Sequence, residues 1–252
     1  MWEDSREALA DLDLPGRERV LDVGCGTGEL SRVLAAEAGD GADVLGLDAD
    51  PDLLAVAGEH VPVVRGDAHR LPLAADAVDL VVCQALLVNL PDPAAAVEEF
   101  ARVSSDLVAA VEPDNAAVTV DSTVEREERL EERARLAYLD GVGTDAALGG
   151  AGTRDAFETA GLSDVRTRRY AHERVVEAPY AEAALDDARR KATGAGLDDD
   201  RATLLAGPLD ADAYADLRAE WRAMGRDVVE QMQAGTYRRV ETVPFYVTVG
   251  RV

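Results

Sequence analysis

Residues 20–30, Val-Leu-Asp-Val-Gly-Cys-Gly-Thr-Gly-Glu-Leu, constrain the fold of this chain more than any other stretch. An apolar run carrying one acid enters a Gly-x-Gly-x-Gly loop. Leu30, Val33, Leu34 and Ala38 then recur at helical spacing. Strand, glycine loop and helix start form the ligand-binding corner of a doubly wound α/β sheet. The glycines permit a tight turn and let a ligand approach bare backbone, and the first N–H groups of the helix lack partners within it. Charge narrows the ligand further. A pyrophosphate favours a neutral or positive cradle, but here Asp22 precedes the loop and Glu29 closes it. The corner suits a ligand with a cationic centre and an amino group.

The surrounding pattern extends this corner into a sheet. An amphipathic helix over residues 5–12 ends at Pro15-Gly16. Apolar runs at 19–23, 43–48, 61–65, 78–83 and 106–111 read as strands. Helical segments lie between them: one from the glycine loop to Ala38, one opened by Asp50-Pro51 and one opened by Asp92-Pro93. Gly39-Asp40-Gly41 is a turn. Such alternation predicts a parallel sheet covered on both faces. Beyond Asp114 the spacing predicts a charged helix over 121–140, with Ser122 to Glu125 as a capping box and its Glu/Arg ladder facing solvent. A glycine-rich hinge over 141–152, a short helix over 153–160, a strand over 165–176, helices over 179–191, 198–205 and 210–233, and a last strand over 240–252 follow.

Composition sets the setting. The chain has 252 residues, enough for one large α/β domain or a core with a small lid. The formal net charge is −24, and Lys191 is the only lysine among 26 basic residues. Molar salt shortens the Debye length to about 3 Å and would screen this excess. The charge therefore reads as adaptation to a high-salt cytoplasm, as in haloarchaea. Cys25 and Cys83 make neither a disulfide framework nor a metal site, and read as buried fillers. No metal is expected from the histidines, of which His60 and His69 read as loop residues. No signal peptide and no apolar run of about 20 residues is found, so a cytoplasmic protein without a membrane span is expected.

Leu21-Asp22-Val23-Gly24-Cys25-Gly26-Thr27-Gly28 resembles the first motif of the class I, Rossmann-like S-adenosylmethionine-dependent methyltransferases. The resemblance is strong over residues 20–114 and weak beyond. It implies S-adenosylmethionine as cofactor and a mainly parallel seven-stranded sheet with helices on both faces. That family closes its sheet with an antiparallel hairpin, but here the two candidate strands are separated by a long helical stretch. A core over 1–177 and 236–252, with a helical insertion over 178–235 acting as a lid, is therefore expected.

The resemblance also assigns residues. Gly24, Cys25, Gly26 and Gly28 form the loop, and Asp22 helps hold the cofactor's ammonium group. Asp48 closes the second strand, where a carboxylate can accept both hydroxyls of a ribose, with Ala49 beside the adenine. Asp67 takes the adenine amino group and the Ala68 backbone a ring nitrogen. Gln84, just past the fourth strand, lies where backbone contacts the amino-acid end. A general base is required only if the acceptor's proton leaves early. The candidates are Asn89, Glu112, Tyr138 and His172, with Asp114, Asn115, Tyr170 and Tyr180 behind them, and for any one of these ordinary packing is the simpler role.

Residues 83–92, Cys-Gln-Ala-Leu-Leu-Val-Asn-Leu-Pro-Asp, lack the Asn-Pro-Pro-Tyr type of motif that marks planar-nitrogen methylation in relatives. They resemble the small-molecule branch, so a small-molecule methyl acceptor is expected. Basic clusters are short and form no stripe, which lowers nucleic acid as a partner. Three alternatives stay open: methylation of protein or RNA, a cofactor-binding protein without catalysis, and a NAD-dependent oxidoreductase. Against the last, Glu29 stands where Gly-x-Gly-x-x-Gly needs its third glycine.

Overall fold

The strand that enters the glycine loop, β1 (Arg19–Val23), is buried from Val20 onward. The computed structural model describes residue 2 and residues 6–39, 41–142 and 147–252. Ser5 of the expected first helix, Asp40 of the expected turn and residues 143–146 of the expected hinge lie outside the described residues. Residues Glu7–Leu12 form a 3-10 helix, tighter than the helix expected there, and bury Ala8, Leu9 and Leu12.

After β1 the chain alternates as the apolar pattern requires. Its elements are α1 (Glu29–Ala38), β2 (Asp43–Asp48), α2 (Pro51–Ala57), β3 (Val63–Arg65), β4 (Val78–Gln84), α3 (Pro93–Val103) and β5 (Ser104–Pro113). Local chemistry starts two of the helices. The Asp50 carboxylate accepts the Asp52 N–H at 2.8 Å with Pro51 in the first turn, and Asp92 accepts the Ala95 N–H at 3.1 Å with Pro93 behind it. Each such cap supplies an acceptor to an N–H that the helix cannot satisfy, worth about 1 kcal/mol. The rest of the chain forms β6 (Thr119–Ser122), α4 (Glu127–Gly141), α5 (Gly149–Thr159), β7 (Ser163–Val176), α6 (Glu182–Thr193), α7 (Ala195–Asp199), α8 (Arg201–Ala206), α9 (Ala211–Gln233) and β8 (Arg239–Arg251).

Two compact units result. The first comprises Met1–Asp114, Leu148–Tyr170 and Phe245–Val252; the second comprises Asn115–Ala147 and Ala171–Pro244. In the first unit the strands run in the order β3-β2-β1-β4-β5-β8. The first five are parallel, and β8 returns antiparallel to β5, from Leu107 opposite Arg251 to Pro113 opposite Phe245. β7 pairs with β8, and the Thr167 and Thr248 hydroxyls meet at 3.0 Å. The order reverses direction between β1 and β4, which places a crevice beyond their carboxyl ends. The pleat sends Leu21 and Val23 into a core with Phe100 of α3 and Phe157 of α5. Asp22 points to the opposite face, where it meets Ser31 of α1. Helices therefore cover both faces, as the near-continuous apolar strands predicted.

In the second unit α4, α6, α8 and α9 enclose Leu130, Leu204, Leu217, Met224 and Val228. Gly225 of α9 lies so close to α6 that a Cβ there would come within 2.3 Å of the Ala192 backbone nitrogen. β6 pairs antiparallel with the start of β8, from Thr119 opposite Thr242 to Ser122 opposite Arg239. Residues 178–235 fall wholly within this unit, which also takes in 115–147, 171–177 and 236–244.

Several sequence expectations are corrected. β6 makes an eighth strand where seven were expected, and its last two residues, Asp121 and Ser122, were expected to start a helix. The expected capping box does not form. The Ser122 hydroxyl instead accepts the Val124 N–H at 3.0 Å and donates to Glu127, and α4 begins only at Glu127. α5 starts at Gly149, inside the expected hinge, and the helix expected over 198–205 is split into α7 and α8. The Glu/Arg ladder of α4 remains at the surface, with Arg126 and Arg129 paired to Asp227 and Glu220 of α9.

Candidate cofactor pocket

The glycine loop needs glycine for conformational reasons. Gly24, Gly26 and Gly28 all have positive φ, at 71°, 54° and 80°, where a side chain strains the backbone. A Cβ at Gly24 would also press within 2.9 Å of the Leu86 side chain. At Gly26 a Cβ would meet no atom within 4 Å, so this stretch of backbone faces open space. The loop is anchored from below, because the Gly24 and Cys25 N–H groups both donate to the Leu47 carbonyl of β2. Ala85, just past β4, also has positive φ, at 49°. Strain in a residue with a side chain concentrates where the surrounding structure demands a special path.

A cavity of about 210 Å³ opens here, lined by Asp22, Gly24, Cys25, Gly26, Glu29 and Gln84, with Thr27, Leu30 and Ala85 completing it. Asp48 anchors the loop: its carboxylate accepts the Gly26 N–H at 2.9 Å and, through its other oxygen, the Asp50 N–H at 2.9 Å. Each oxygen keeps a further lone pair. Gly28 turns the chain into α1.

The pocket is electrostatically negative. Asp22 is buried and accepts the Ser31 hydroxyl at 2.5 Å. Burial pushes its carboxyl up to about 7, the Ser31 bond opposes this, and the Asp48 charge adds to it. Burial, with Asp22 and Asp48 nearby, likewise pushes the Cys25 thiol up to about 12, so it is no nucleophile at neutral pH.

Of the other expected cofactor residues, Gln84 lines this cavity and Ala49, Asp67 and Ala68 do not. Asp67 is exposed and accepts the His69 N–H at 2.9 Å, while Ala68 joins the core beside Leu71. They remain tied to the site through Gly66, whose N–H donates to the Asp48 carbonyl at 3.0 Å. Ala49 also lies off the cavity, and its carbonyl accepts Arg65 Nε at 3.0 Å. The Gln84 side chain accepts the indole N–H of Trp2 at 2.8 Å.

The candidate bases separate. Glu112 is fully buried and accepts the N–H groups of Leu86 and Leu87 at 3.0 Å and of Val88 at 3.2 Å. It clasps the turn after β4 and is in no position to take a proton from an acceptor. Asn89 is exposed and donates to the Ala85 carbonyl at 2.8 Å. Tyr138 on α4 and His172 on β7 belong to the second unit, as does Tyr180, which donates to the Tyr237 carbonyl at 3.0 Å. Two contributors escaped the sequence reading. Ser31 carried a signal, a hydroxyl at a buried position of α1, whereas Trp2 carried none.

Among known proteins, residues 21–106 match the family model described as a methyltransferase domain. The chain is 32% identical over 108 residues to a demethylmenaquinone methyltransferase of Bacillus licheniformis, covering 40% of this chain and 46% of that one. It is 37% identical over 103 residues to a ubiquinone biosynthesis O-methyltransferase of Methylococcus capsulatus, covering 38% and 42%. The chain thus spans less than half the length of these relatives. A solved structure from Bacillus halodurans, assigned as a methyltransferase, superposes with a TM-score of 0.55 at 15% identity, covering 98% of this chain and 99% of that one. That likeness shows the fold, and the stretch from β1 to the start of β5 matches the methyltransferase domain family.

Proposed function

We propose that this chain is a methyltransferase that moves a methyl group to a small-molecule acceptor by in-line displacement. Its cofactor is S-adenosylmethionine. The observation that carries the reading is the negative cavity at the end of β1, where open backbone at Gly26 meets Asp22, Glu29 and the Asp48-anchored loop. A cationic ligand fits this donor and acceptor set and a pyrophosphate does not.

When bound, the cofactor supplies a sulfonium-activated methyl group. The chain's own residues do the rest. Asp48 receives the two ribose hydroxyls on its free lone pairs. Asp22 and Glu29 offset positive charge at the amino-acid end. The loop backbone and the turn held by Glu112 fix orientation, which is the main catalytic contribution an enzyme makes to such a displacement. Asp67 and Ala68 carry the adenine end, beyond the cavity proper. The quinone methyltransferases named above act on small molecules, which supports a small acceptor here.

Calorimetry with S-adenosylhomocysteine, in low salt and in molar KCl, tests the pocket. Asp48→Ala should weaken binding about ten- to a hundredfold, the loss expected for hydrogen bonds to a charged acceptor. Asp48→Asn, which keeps one acceptor oxygen, should lose less. No binding by the wild type in either salt overturns the reading. Transfer of label from the cofactor into the small-molecule fraction of a cell extract supports the acceptor class, and label only in protein or RNA overturns it.

A further inference from the structure

Asp22 lines the glycine-loop cavity, and a single residue of α1 holds its carboxylate. That residue, Ser31, is fully buried on the apolar face of the helix, among Leu30, Val33 and Leu34. A serine inside a helix often turns its hydroxyl onto a carbonyl of the preceding turn. Ser31 instead donates across to β1, where Asp22 Oδ2 accepts it at 2.5 Å. Its backbone N–H acts on the same carboxylate. Ser31 is the third residue of α1, so this N–H has no acceptor within the helix and stands at the positive end of the helix dipole. Gly46 of β2 keeps room for the arrangement. A Cβ there would come within 2.9 Å of Cys25 Sγ and 3.5 Å of Ser31 Oγ.

The titratable groups that face Asp22 bring no positive charge. Asp48 at the end of β2 repels it, and Glu29 at the start of α1 lines the same cavity. Cys25 in the loop and Cys83 on β4 lie close enough for the Asp22 charge to push their thiols up. Burial opposes the carboxylate most of all. Among the described residues, the two groups of Ser31 are what favours it.

A carboxylate without donors in such a place takes up a proton and loses its attraction for a cation. Two donors from one residue keep it charged and fix the direction of its remaining lone pairs. We propose that Ser31 is a positioning residue of this pocket, aiming and holding the Asp22 carboxylate for the ammonium group of the bound cofactor. Ser31 is not among the residues that line the cavity, so it acts through Asp22. The proposal rests on the methyltransferase reading above.

The test titrates S-adenosylhomocysteine calorimetrically into the whole chain from pH 6 to 9 in molar KCl. It compares wild type with Ser31→Ala, Asp22→Asn and the double variant. Losing a hydrogen bond to a charged acceptor should move the Asp22 carboxyl up by about one pH unit. Its wild-type value is about 7. Ser31→Ala should therefore bind about fivefold more weakly than wild type at pH 7, and within about twofold of it at pH 9. The proton expelled on binding at pH 7, read from the buffer dependence of the heat, should rise from about half to about nine-tenths. In the Asp22→Asn background, Ser31→Ala should change affinity by less than about twofold at every pH. A loss by the same factor at every pH is what a merely structural serine gives, and it overturns the proposal. So does unchanged affinity at pH 7, absence of binding by Ser31→Ala at pH 9, or a further loss in the double variant. No binding by wild type removes the methyltransferase reading and this role with it. Wild-type binding with a pH-independent Ser31→Ala ratio removes the role of Ser31 alone.

Discussion

Both units bury acids, and they treat them in opposite ways. In the first, Asp22 and Glu112 are enclosed with no cation beside them among the described residues. Burial pushes each carboxyl up to about 7, against the Ser31 bond in one case and three backbone N–H bonds in the other. In the second, burial also works to raise Glu131, but Lys191 and Arg239 outweigh it and hold the acid below the ordinary carboxylate range. The second unit has supplied its own counter-charge, so its acids are structural. The first has left Asp22 facing a cavity with none, which is the arrangement expected where a cation arrives with the ligand.

Removing a cation from the second unit is the severest way to break this contrast. Lys191→Met leaves Glu127 and Glu131 buried, each with one of its two cations gone. The expected loss is about 4 kcal/mol, typical of stranding a buried charge. Urea unfolding followed by hydrogen exchange on α4, α6 and α9 reads it, and a loss below about 1 kcal/mol would show that the cluster is solvated. In the first unit Glu112→Ala should cost about 3 kcal/mol, because Leu86, Leu87 and Val88 lose their acceptor. Glu112→Gln should recover part of this, since its carbonyl oxygen restores one acceptor. A variant that unfolds normally but loses all methyl transfer would instead make Glu112 a participant in the chemistry.

How much of this was legible in the residues follows from how local each signal is. The loop from β1 into α1, the Asp50-Pro51 helix start and the parallel strands are written in neighbouring residues, and the structure agrees with them. β6 is not written locally. Thr-Val-Asp-Ser is polar and short, and it becomes a strand only because Arg239–Thr242, far along the chain, pairs with it. Glu112 was visible as an acid at a strand end. Its part in holding the 86–88 turn was not, because no pattern in the sequence shows which backbone N–H groups will converge on it. The ion cluster of the second unit hid for the same reason. Glu127, Glu131, Lys191 and Arg239 look like ordinary surface charges until α4, α6 and β8 bring them together.

The smallest expected effects test the unpaired acid directly. A carboxyl raised from 3.8 to about 7 on folding favours the folded state below pH 3.8, and that contribution is lost as pH climbs through 7. Between pH 5 and 7 wild type should therefore lose about 2 kcal/mol relative to Asp22→Asn, which cannot titrate there. Glu131, with its lowered value, runs the other way: its contribution is present above pH 4.5 and fades as pH falls further. Ligand binding gives the sharper form of the same argument. At pH 7 Asp22 is near half protonated in the free protein, and an ammonium group brought beside it favours the carboxylate. Binding of S-adenosylhomocysteine should then expel up to about half a proton. Calorimetry in phosphate and in Tris, whose ionisation heats differ widely, measures that proton as a difference in apparent enthalpy. Asp22→Asn should bind with the same heat in both buffers. A wild-type heat equally indifferent to the buffer would mean that no cation reaches Asp22, and the distinction between an acid awaiting its partner and an acid already paired would fail at its most exposed point.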